Sequence, residues 1–213
     1  MKTGWVSLDS CKAVIFAAAV CVGLTAAMPG GLRAQGTMQS APADKTTPSY
    51  DMKGQAIVDL QQLQGKYVAP ADAIPADKYS WRPAPDARSV GELFLHVTAA
   101  NHNIPTMMTG TTAPGEFKKD GYEKSITDKA KIVDALKESF AAAIEDVQAM
   151  SNADFAKAEK KLGPDANDGD VIYILVTHAH EHLGQAIAYA RSNGVVPPWT
   201  ATAMKKDPKK AQD

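Results

Sequence analysis

Apolar residues recur at intervals of three and four in four separate segments of this chain, and this spacing is the feature that most limits its fold. The spacing places apolar side chains on one face of an α-helix, whereas a half-buried strand needs strict alternation, which no stretch shows convincingly. The sequence therefore predicts an all-α fold. Four amphipathic helices of this length are typical of a four-helix bundle, whose interior commonly holds metal or cofactor sites.

The ends of the predicted helices are marked by residues with known positional preferences. The helices cover about residues 50–68, 89–104, 127–150 and 170–192. Ser89 and Glu92 have the spacing of a capping box at the start of the second helix, and Pro105 should kink or end that helix. The fourth helix should end at Gly194, because glycine readily adopts the left-handed conformation just beyond a helix.

The first 34 residues have the layout of a secretory signal peptide. Lys2 and Lys12 precede an apolar run of 15 residues, 13–27, and small residues, Pro and Gly follow. The run is shorter than the roughly 20 residues that a membrane-spanning helix needs, and a retained N-terminal anchor is the alternative. We expect cleavage after Ala34 and export to the periplasm or the extracellular space, with no stable membrane anchor after cleavage.

Removal of residues 1–34 changes the chemistry available to the protein. Both cysteines, Cys11 and Cys21, lie in this segment, so the mature chain has neither a disulfide nor a thiolate. Any metal must then be held by His, Asp, Glu or backbone oxygen. The formal net charge falls from −1 to −3, because three cations leave with only one anion. A mildly acidic chain without a basic patch argues against nucleic acid as a partner.

Two polar segments flank the predicted bundle, which covers residues 50–203. Residues 35–49 are rich in Ser, Thr, Pro and Ala and lack apolar periodicity, which is typical of a flexible linker. Residues 204–213 are charged and poor in apolar residues, and we expect them to be disordered. The chain between these segments is long enough for one domain with a sizeable core.

The fourth helix contains the stretch "THAHEHLGQ", which holds three of the five histidines of the chain. On an α-helix His178 and His182 lie about 40° apart, so both imidazoles can bind one metal ion. His180 lies about 200° from His178 and should face solvent. Glu181 is a candidate general base or hydrogen-bond acceptor for a ligand, and an exposed helix glutamate is the alternative.

A third ligand would have to come from the second helix. His96 borders the apolar stripe of that helix, whereas His102 lies about 240° further round and should face solvent. Three neutral imidazoles with a fourth position open to water form the pattern of a catalytic metal site. Spacing alone does not place His96 opposite the pair. A polar helix face with hydrogen-bonded histidines therefore stays an alternative.

Two stretches of this chain resemble the DinB/YfiT-like metalloenzyme superfamily of four-helix bundles. They are "RPAPDARSVGELFLHV" and "HAHEHLGQAIAYARSNGVVPPW", and the resemblance extends over about residues 50–200. The family pattern is one His near the middle of the second helix and H-x-x-x-H-x-G-Q on the last long helix. These positions map onto His96, His178, His182, Gly184 and Gln185.

The resemblance implies a divalent metal ion, most often zinc or nickel, that is held by three histidines with one position open. Characterised relatives are thiol-dependent: they are S-transferases that use low-molecular-weight bacterial thiols, and a mycothiol-dependent isomerase. A small-molecule substrate or a thiol is therefore the implied partner. If the protein is a metal-dependent enzyme, we expect Glu181 or Gln185 to contact the metal ligands from behind. This chain departs from the family in its signal-like N-terminus, since the usual thiol cosubstrates are cytoplasmic.

Three functions are consistent with the sequence. The first is a metal-dependent enzyme that catalyses thiol transfer or hydrolysis, and the second is a non-catalytic module that binds a metal ion or a small molecule. The third is a structural bundle whose histidines are polar residues with hydrogen-bond partners. Trp81, Tyr189 and Trp199 are candidates for a pocket lining, with ordinary packing as the alternative. Homodimerisation through an apolar helix face stays open.

Overall fold

Helices account for most of residues 51–207, the part of the chain that the computed structural model describes. In chain order they are α1 (Met52–Ala73), α2 (Val90–Asn103), α3 (Thr106–Thr109), α4 (Lys129–Ala149), α5 (Asp168–Ser192) and α6 (Pro198–Lys206). The described residues contain no β-strand, only an isolated bridge between Ala158 and Asn167. The predicted all-α fold is confirmed.

Each of the four long helices begins with a side chain that accepts a hydrogen bond from the first turn. These N-cap residues are Asp51, Ser89, Asp128 and Asn167. The predicted capping box at the start of α2 is present, since Ser89 and Glu92 each accept from the backbone N–H of the other. Such caps satisfy backbone donors that have no partner within the helix, and they define where each helix starts.

The long helices form a four-helix bundle in which α1 and α2 each pack against both α4 and α5. α1 and α4 run antiparallel, because Lys53 at the start of α1 donates to the carbonyl oxygens of Gln148 and Met150 at the end of α4. Lys129 at the start of α4 donates in the same way to the end of α1. The core is apolar, and its largest fully buried side chains include Leu60, Tyr67, Phe94, Leu95, Phe140 and Leu175.

Several helix ends differ from the predicted ones. α1 continues to Ala73, beyond the predicted end at about residue 68, and it contains Pro70, which is buried, so packing keeps the helix intact at a residue type that usually breaks one. α5 begins at Asp168, because Asn167 and Asp170 form a second capping box that the sequence analysis did not use. α2 ends at Asn103, as the position of Pro105 predicts.

The end of α5 is as predicted, and the helix that follows is not. Gly194 has φ 76° and donates to the carbonyl of Arg191, while Val195 donates to that of Ala190, which together make a Schellman motif. α6 was not predicted. Its proline in the first turn favours helix initiation, and it includes the first three residues of the segment that we expected to be disordered.

The predicted signal peptide, 1–34, and the predicted linker, 35–49, lie outside the described residues. No helix within residues 51–207 combines the length and the apolar character that crossing a membrane requires.

Candidate metal centre

α5 carries His178 and His182 one helical turn apart, on the face that packs into the bundle. Leu175, Ala179 and Ala186 share this face and are each 0% exposed. His182 is buried and His178 is half-buried. The shared face directs the histidine pair towards the bundle interior, and the pair lies one turn apart as its spacing predicts.

His96 reaches this pair from α2, where Leu93 and Val97 on its two sides are fully buried. Its Nε2 atom lies 3.1 Å from Nε2 of His178 and 3.1 Å from Nε2 of His182. One nitrogen from each of the three rings lies within 4.8 Å of the other two, and no other group of three potential ligands is this close within residues 51–207. The structure therefore brings together the three histidines that the sequence analysis selected.

Hydrogen bonds on the outer nitrogens of two of these rings determine where their protons lie. Nδ1 of His96 lies 2.7 Å from Oε1 of Glu123, and a carboxylate only accepts, so this nitrogen carries the proton. Nδ1 of His182 lies 3.1 Å from Oε1 of Gln185, which is also an acceptor. In their neutral forms, His96 and His182 therefore both present the Nε2 lone pair to the centre of the cluster.

A divalent metal ion fits this arrangement. Two lone pairs that face each other at 3.1 Å repel, and a cation between them converts the repulsion into attraction. Tetrahedral coordination with metal–nitrogen bonds of about 2.0–2.1 Å separates the ligand nitrogens by about 3.3–3.4 Å, close to the spacing found here. Imidazole is a good ligand for both zinc and nickel. Three protein ligands would leave a fourth position for another molecule.

Burial keeps two of the imidazoles in the neutral form that a metal ion requires. Burial, together with the nearby charges of His182, His96 and Arg88, lowers the pKa of His178 to about 4. Burial also lowers the pKa of His96, although the hydrogen bond to Glu123 acts in the opposite direction. Protons therefore compete less with a metal ion at these nitrogens than they would at a free imidazole.

Glu123 contacts the cluster through His96, and it was not identified from the sequence. It lies in a 3₁₀ helix, Tyr122–Lys124, in the connection between α3 and α4. Burial raises the pKa of its carboxyl, but hydrogen bonds from Arg88 and His96 outweigh that effect and hold the pKa below its usual range. No motif marks Glu123, because a loop residue reaches a helix 27 positions away only through the tertiary fold.

α1 supports the backbone of α5 between the two histidines. The hydroxyl of Tyr67 donates to the carbonyl oxygen of Ala179 at 2.6 Å, and the Tyr67 side chain is completely buried. Its ring packs against Phe140 of α4 with the centroids 5.3 Å apart. Burial raises the pKa of Tyr67 far above its ordinary value, so the hydroxyl remains a donor. This bond ties α1 to α5 at the residue next to His178.

The other residues singled out in the sequence lie at different distances from the cluster. Gln185 contacts His182 through its side-chain oxygen. Glu181 and His180 are exposed, and neither belongs to the group of converging ligand atoms. The expectation that His102 faces solvent is wrong: its ring is half-buried and stacks on Phe117, with the centroids 4.0 Å apart and the planes 12° apart. The α3–α4 connection folds over this side of α2, which helical periodicity does not reveal.

A cleft of about 700 Å³ opens beside the cluster. Its lining includes Arg88, Glu123 and Gln185, which surround the outer sides of His96 and His182. Tyr189 also lines it, and Trp81 packs edge-on against the Tyr189 ring with the centroids 5.4 Å apart. The cleft therefore lies on the Nδ1 side of His96 and His182, among the residues that contact these two rings.

Comparisons with known proteins agree with this architecture. A sequence model of the DinB superfamily matches residues 59–186. The fold is similar to the crystal structure of a DinB-like protein from Bacillus cereus ATCC 10987, with a TM-score of 0.57 and 17% sequence identity over 68% of this chain and 95% of that chain. The comparison with curated proteins gave no match.

Proposed function

The chain belongs to the DinB superfamily, and on that premise we propose that it binds a divalent metal ion, zinc or nickel, through His96, His178 and His182. The observation that carries the proposal is the convergence of three Nε2 atoms, two of which are 3.1 Å from the third. In two of the rings the proton is held at Nδ1 by an acceptor, which leaves Nε2 free to bind a metal ion.

We further propose that the protein is a metal-dependent enzyme that catalyses thiol transfer or hydrolysis. A divalent ion with an open position supplies Lewis-acid activation of a thiol, a water molecule or a substrate carbonyl. The chain's own residues support this site, because Glu123 and Gln185 each contact the outer nitrogen of one imidazole. A histidine-only donor set also contains no thiolate that could compete as a nucleophile.

We also propose that the protein works after export. The support is the sequence of residues 1–34, with two lysines, an apolar run of 15 residues and a region of small residues. A metal site without cysteine ligands is compatible with an oxidising compartment, because imidazole nitrogen does not undergo the oxidation that thiolates do.

Turnover and its dependence on metal test the enzyme proposal. The protein is assayed with cysteine and 1-chloro-2,4-dinitrobenzene for thiol transfer, and with 4-nitrophenyl acetate for hydrolysis. We expect activity above background with at least one substrate set, its loss after chelation and its return when zinc or nickel is added. His96→Ala should abolish the activity, whereas His180→Ala, which changes an exposed residue on α5, should not. Activity that survives both chelation and His96→Ala would count against a metal-dependent enzyme.

A non-catalytic metal-binding module is the second candidate, and one observation favours it. Glu123 is the carboxylate that contacts the cluster, and it is already engaged in an ion pair with Arg88. The exposed Glu181 takes no part in the cluster. Neither carboxylate is therefore in the position of a general base, which favours metal binding without catalysis. If the module alternative is correct, the protein contains metal but turns over none of these substrates, whether the metal is zinc or nickel.

A further inference from the structure

The three imidazoles of the cluster have unequal partners at their outer nitrogens. Nδ1 of His96 meets a carboxylate, that of Glu123, at 2.7 Å. Nδ1 of His182 meets a neutral amide oxygen at 3.1 Å. Nδ1 of His178 is buried and has no hydrogen-bond partner among the described residues. His96 is therefore the imidazole whose orientation and proton position are most firmly determined by its surroundings.

The carboxylate at His96 is itself held in place. The Nε and Nη2 atoms of Arg88 donate to its two oxygens at 2.7 Å and 3.1 Å, which is the two-point geometry of a guanidinium–carboxylate pair. Oε1 accepts from both His96 and Arg88, so the three side chains form a continuous chain of hydrogen bonds. Arg88 immediately precedes the N-cap of α2, and Glu123 belongs to a different part of the sequence.

The connection that contains Glu123 is held against α2 by contacts of its own. Gly121, at φ 87°, precedes the 3₁₀ helix that contains Glu123, and this left-handed conformation is one that glycine adopts without strain. Phe117, earlier in the same connection, is fixed to α2 by the stacked ring of His102 and by a hydrogen bond from Asn103 to its carbonyl oxygen. The connection is therefore anchored to α2 at two points, and Glu123 is one of them.

We propose that Glu123, held by Arg88, is the positioning residue of the metal centre: it fixes His96 in the tautomer and ring orientation in which Nε2 binds the ion. This inference rests on the proposed metal binding. A carboxylate that accepts from the far nitrogen of a ligating imidazole orients the ring and increases its basicity. Arg88 acts through Glu123, because it restricts the carboxylate to one orientation.

If Arg88 and Glu123 formed only a structural ion pair, breaking the pair would leave zinc binding unchanged. The side chains of Arg88 and Glu123 are 40% and 31% exposed, and pairs with this exposure contribute little to folding stability. The same cleft supplies a matched control in Arg82 and Glu92, which form an ion pair at 3.0 Å. That pair has no contact with the histidines in the observed hydrogen bonds. Glutamine at position 92 also preserves the capping box.

The test is the zinc dissociation constant, measured by competition with a chromophoric chelator on the untagged full-length protein and its variants. We expect Glu123→Ala to weaken zinc binding by about 10–100-fold, the usual effect of removing such a partner. Glu123→Gln should show a smaller loss, because its amide oxygen still accepts from Nδ1 of His96. Glu92→Gln should bind zinc like the parent. The visible spectrum of the cobalt-loaded protein should change in Glu123→Ala and remain unchanged in Glu92→Gln.

Each outcome separates the positioning role from metal binding itself. Zinc binding by Glu123→Ala within about twofold of the parent, with an unchanged cobalt spectrum, would overturn the positioning role while leaving the metal site intact. An equal loss in Glu92→Gln would overturn it as well, because the effect would then belong to the cleft in general. If Glu123→Ala does not fold, the comparison of Glu123→Gln with Glu92→Gln decides. A parent protein that binds no zinc, nickel or cobalt would overturn the proposed function as a whole.

Discussion

His178 is an imidazole whose charge is controlled by burial and by its two neighbouring histidines. Its outer nitrogen has no partner within the described residues, and no acceptor there stabilises the protonated ring. Its pKa is about 4 in the folded protein against an ordinary value of 6.5. The charge state of this one residue should therefore affect both metal binding and the pH dependence of folding.

The stability of the metal-free protein should decrease as the pH falls from about 6.5 towards 4. Above pH 6.5, His178 is neutral in the folded and unfolded states and contributes no pH dependence. Between these two pKa values the unfolded chain binds a proton that the folded chain does not, so acid favours unfolding. Denaturant unfolding with chelator present, at pH 7.5, 6.0 and 5.0, measures this loss. Because other groups also titrate, the test is the comparison with His178→Gln, which should lose less stability over the range. An equal loss of unfolding free energy with falling pH in the two proteins would contradict the role of His178.

Helical spacing alone predicts the site only where ligands share an element, and His96 was added from the apolar stripe that it borders and from the family pattern. His178 and His182 lie on one helix, so their spacing alone places them on one face. His96 comes from another helix, and its position opposite the pair depends on tertiary packing that spacing does not encode. Glu123 was missed for the same reason, and His102 was assigned to solvent because periodicity ignores a connection that folds over the helix. Local signals predict local geometry, and contacts between elements require the fold.

Helix boundaries were likewise predicted only where the signal is local. The start of α2 and the end of α5 were predicted because a capping box and a glycine act within a few residues of the chain. The continuation of α1 through Pro70 was not predicted, because tertiary packing around that buried residue overrides its local preference.

α1 and α4 are joined by two lysines. Each lysine, Lys53 or Lys129, donates to carbonyls at the opposite helix's C-terminal end, where the helix dipole favours a positive charge.

Replacing one of these lysines should destabilise the bundle measurably. Lys129→Met removes two hydrogen bonds that the lysine ammonium donates to the carbonyl oxygens of Asp72 and Ile74, at 2.7 Å and 2.8 Å. We expect a loss of about 1 kcal/mol in the free energy of unfolding, because each bond from a charged donor has a modest net value at a partly solvated site. Lys131→Met, an exposed neighbour in the same helix turn, is the control and should change stability little. Equal effects from both substitutions would show that the loss of charge, rather than the helix-end contact, is responsible.

At the scale of the whole molecule, sequence composition separates the N-terminal segment from the bundle. Both cysteines and the apolar run lie within residues 1–34, while all three histidines of the candidate metal site lie within the family match at residues 59–186. The proposed export therefore removes nothing that the proposed site uses. It also leaves a chain whose metal-binding groups are all nitrogen or oxygen.

Export predicts a defined N-terminus. When the full chain is produced in a Gram-negative host, mass spectrometry of the periplasmic fraction should find a protein that begins at Gln35, because cleavage is expected after Ala34. An intact N-terminus in the membrane fraction would favour the retained anchor. An intact chain in the cytosol would contradict export, and it would restore cytoplasmic thiols as accessible cosubstrates.

The metal content of the purified protein tests the central claim most directly. The chain is produced without a histidine tag, incubated with zinc or nickel at neutral pH, freed of excess metal and analysed by elemental mass spectrometry. The parent and His180→Ala should each contain about one equivalent, and His96→Ala and His178→Ala should contain little, because three imidazoles converge on one position. Little metal in the parent, or a full equivalent in His96→Ala, would show that α2 and α5 do not share a metal site.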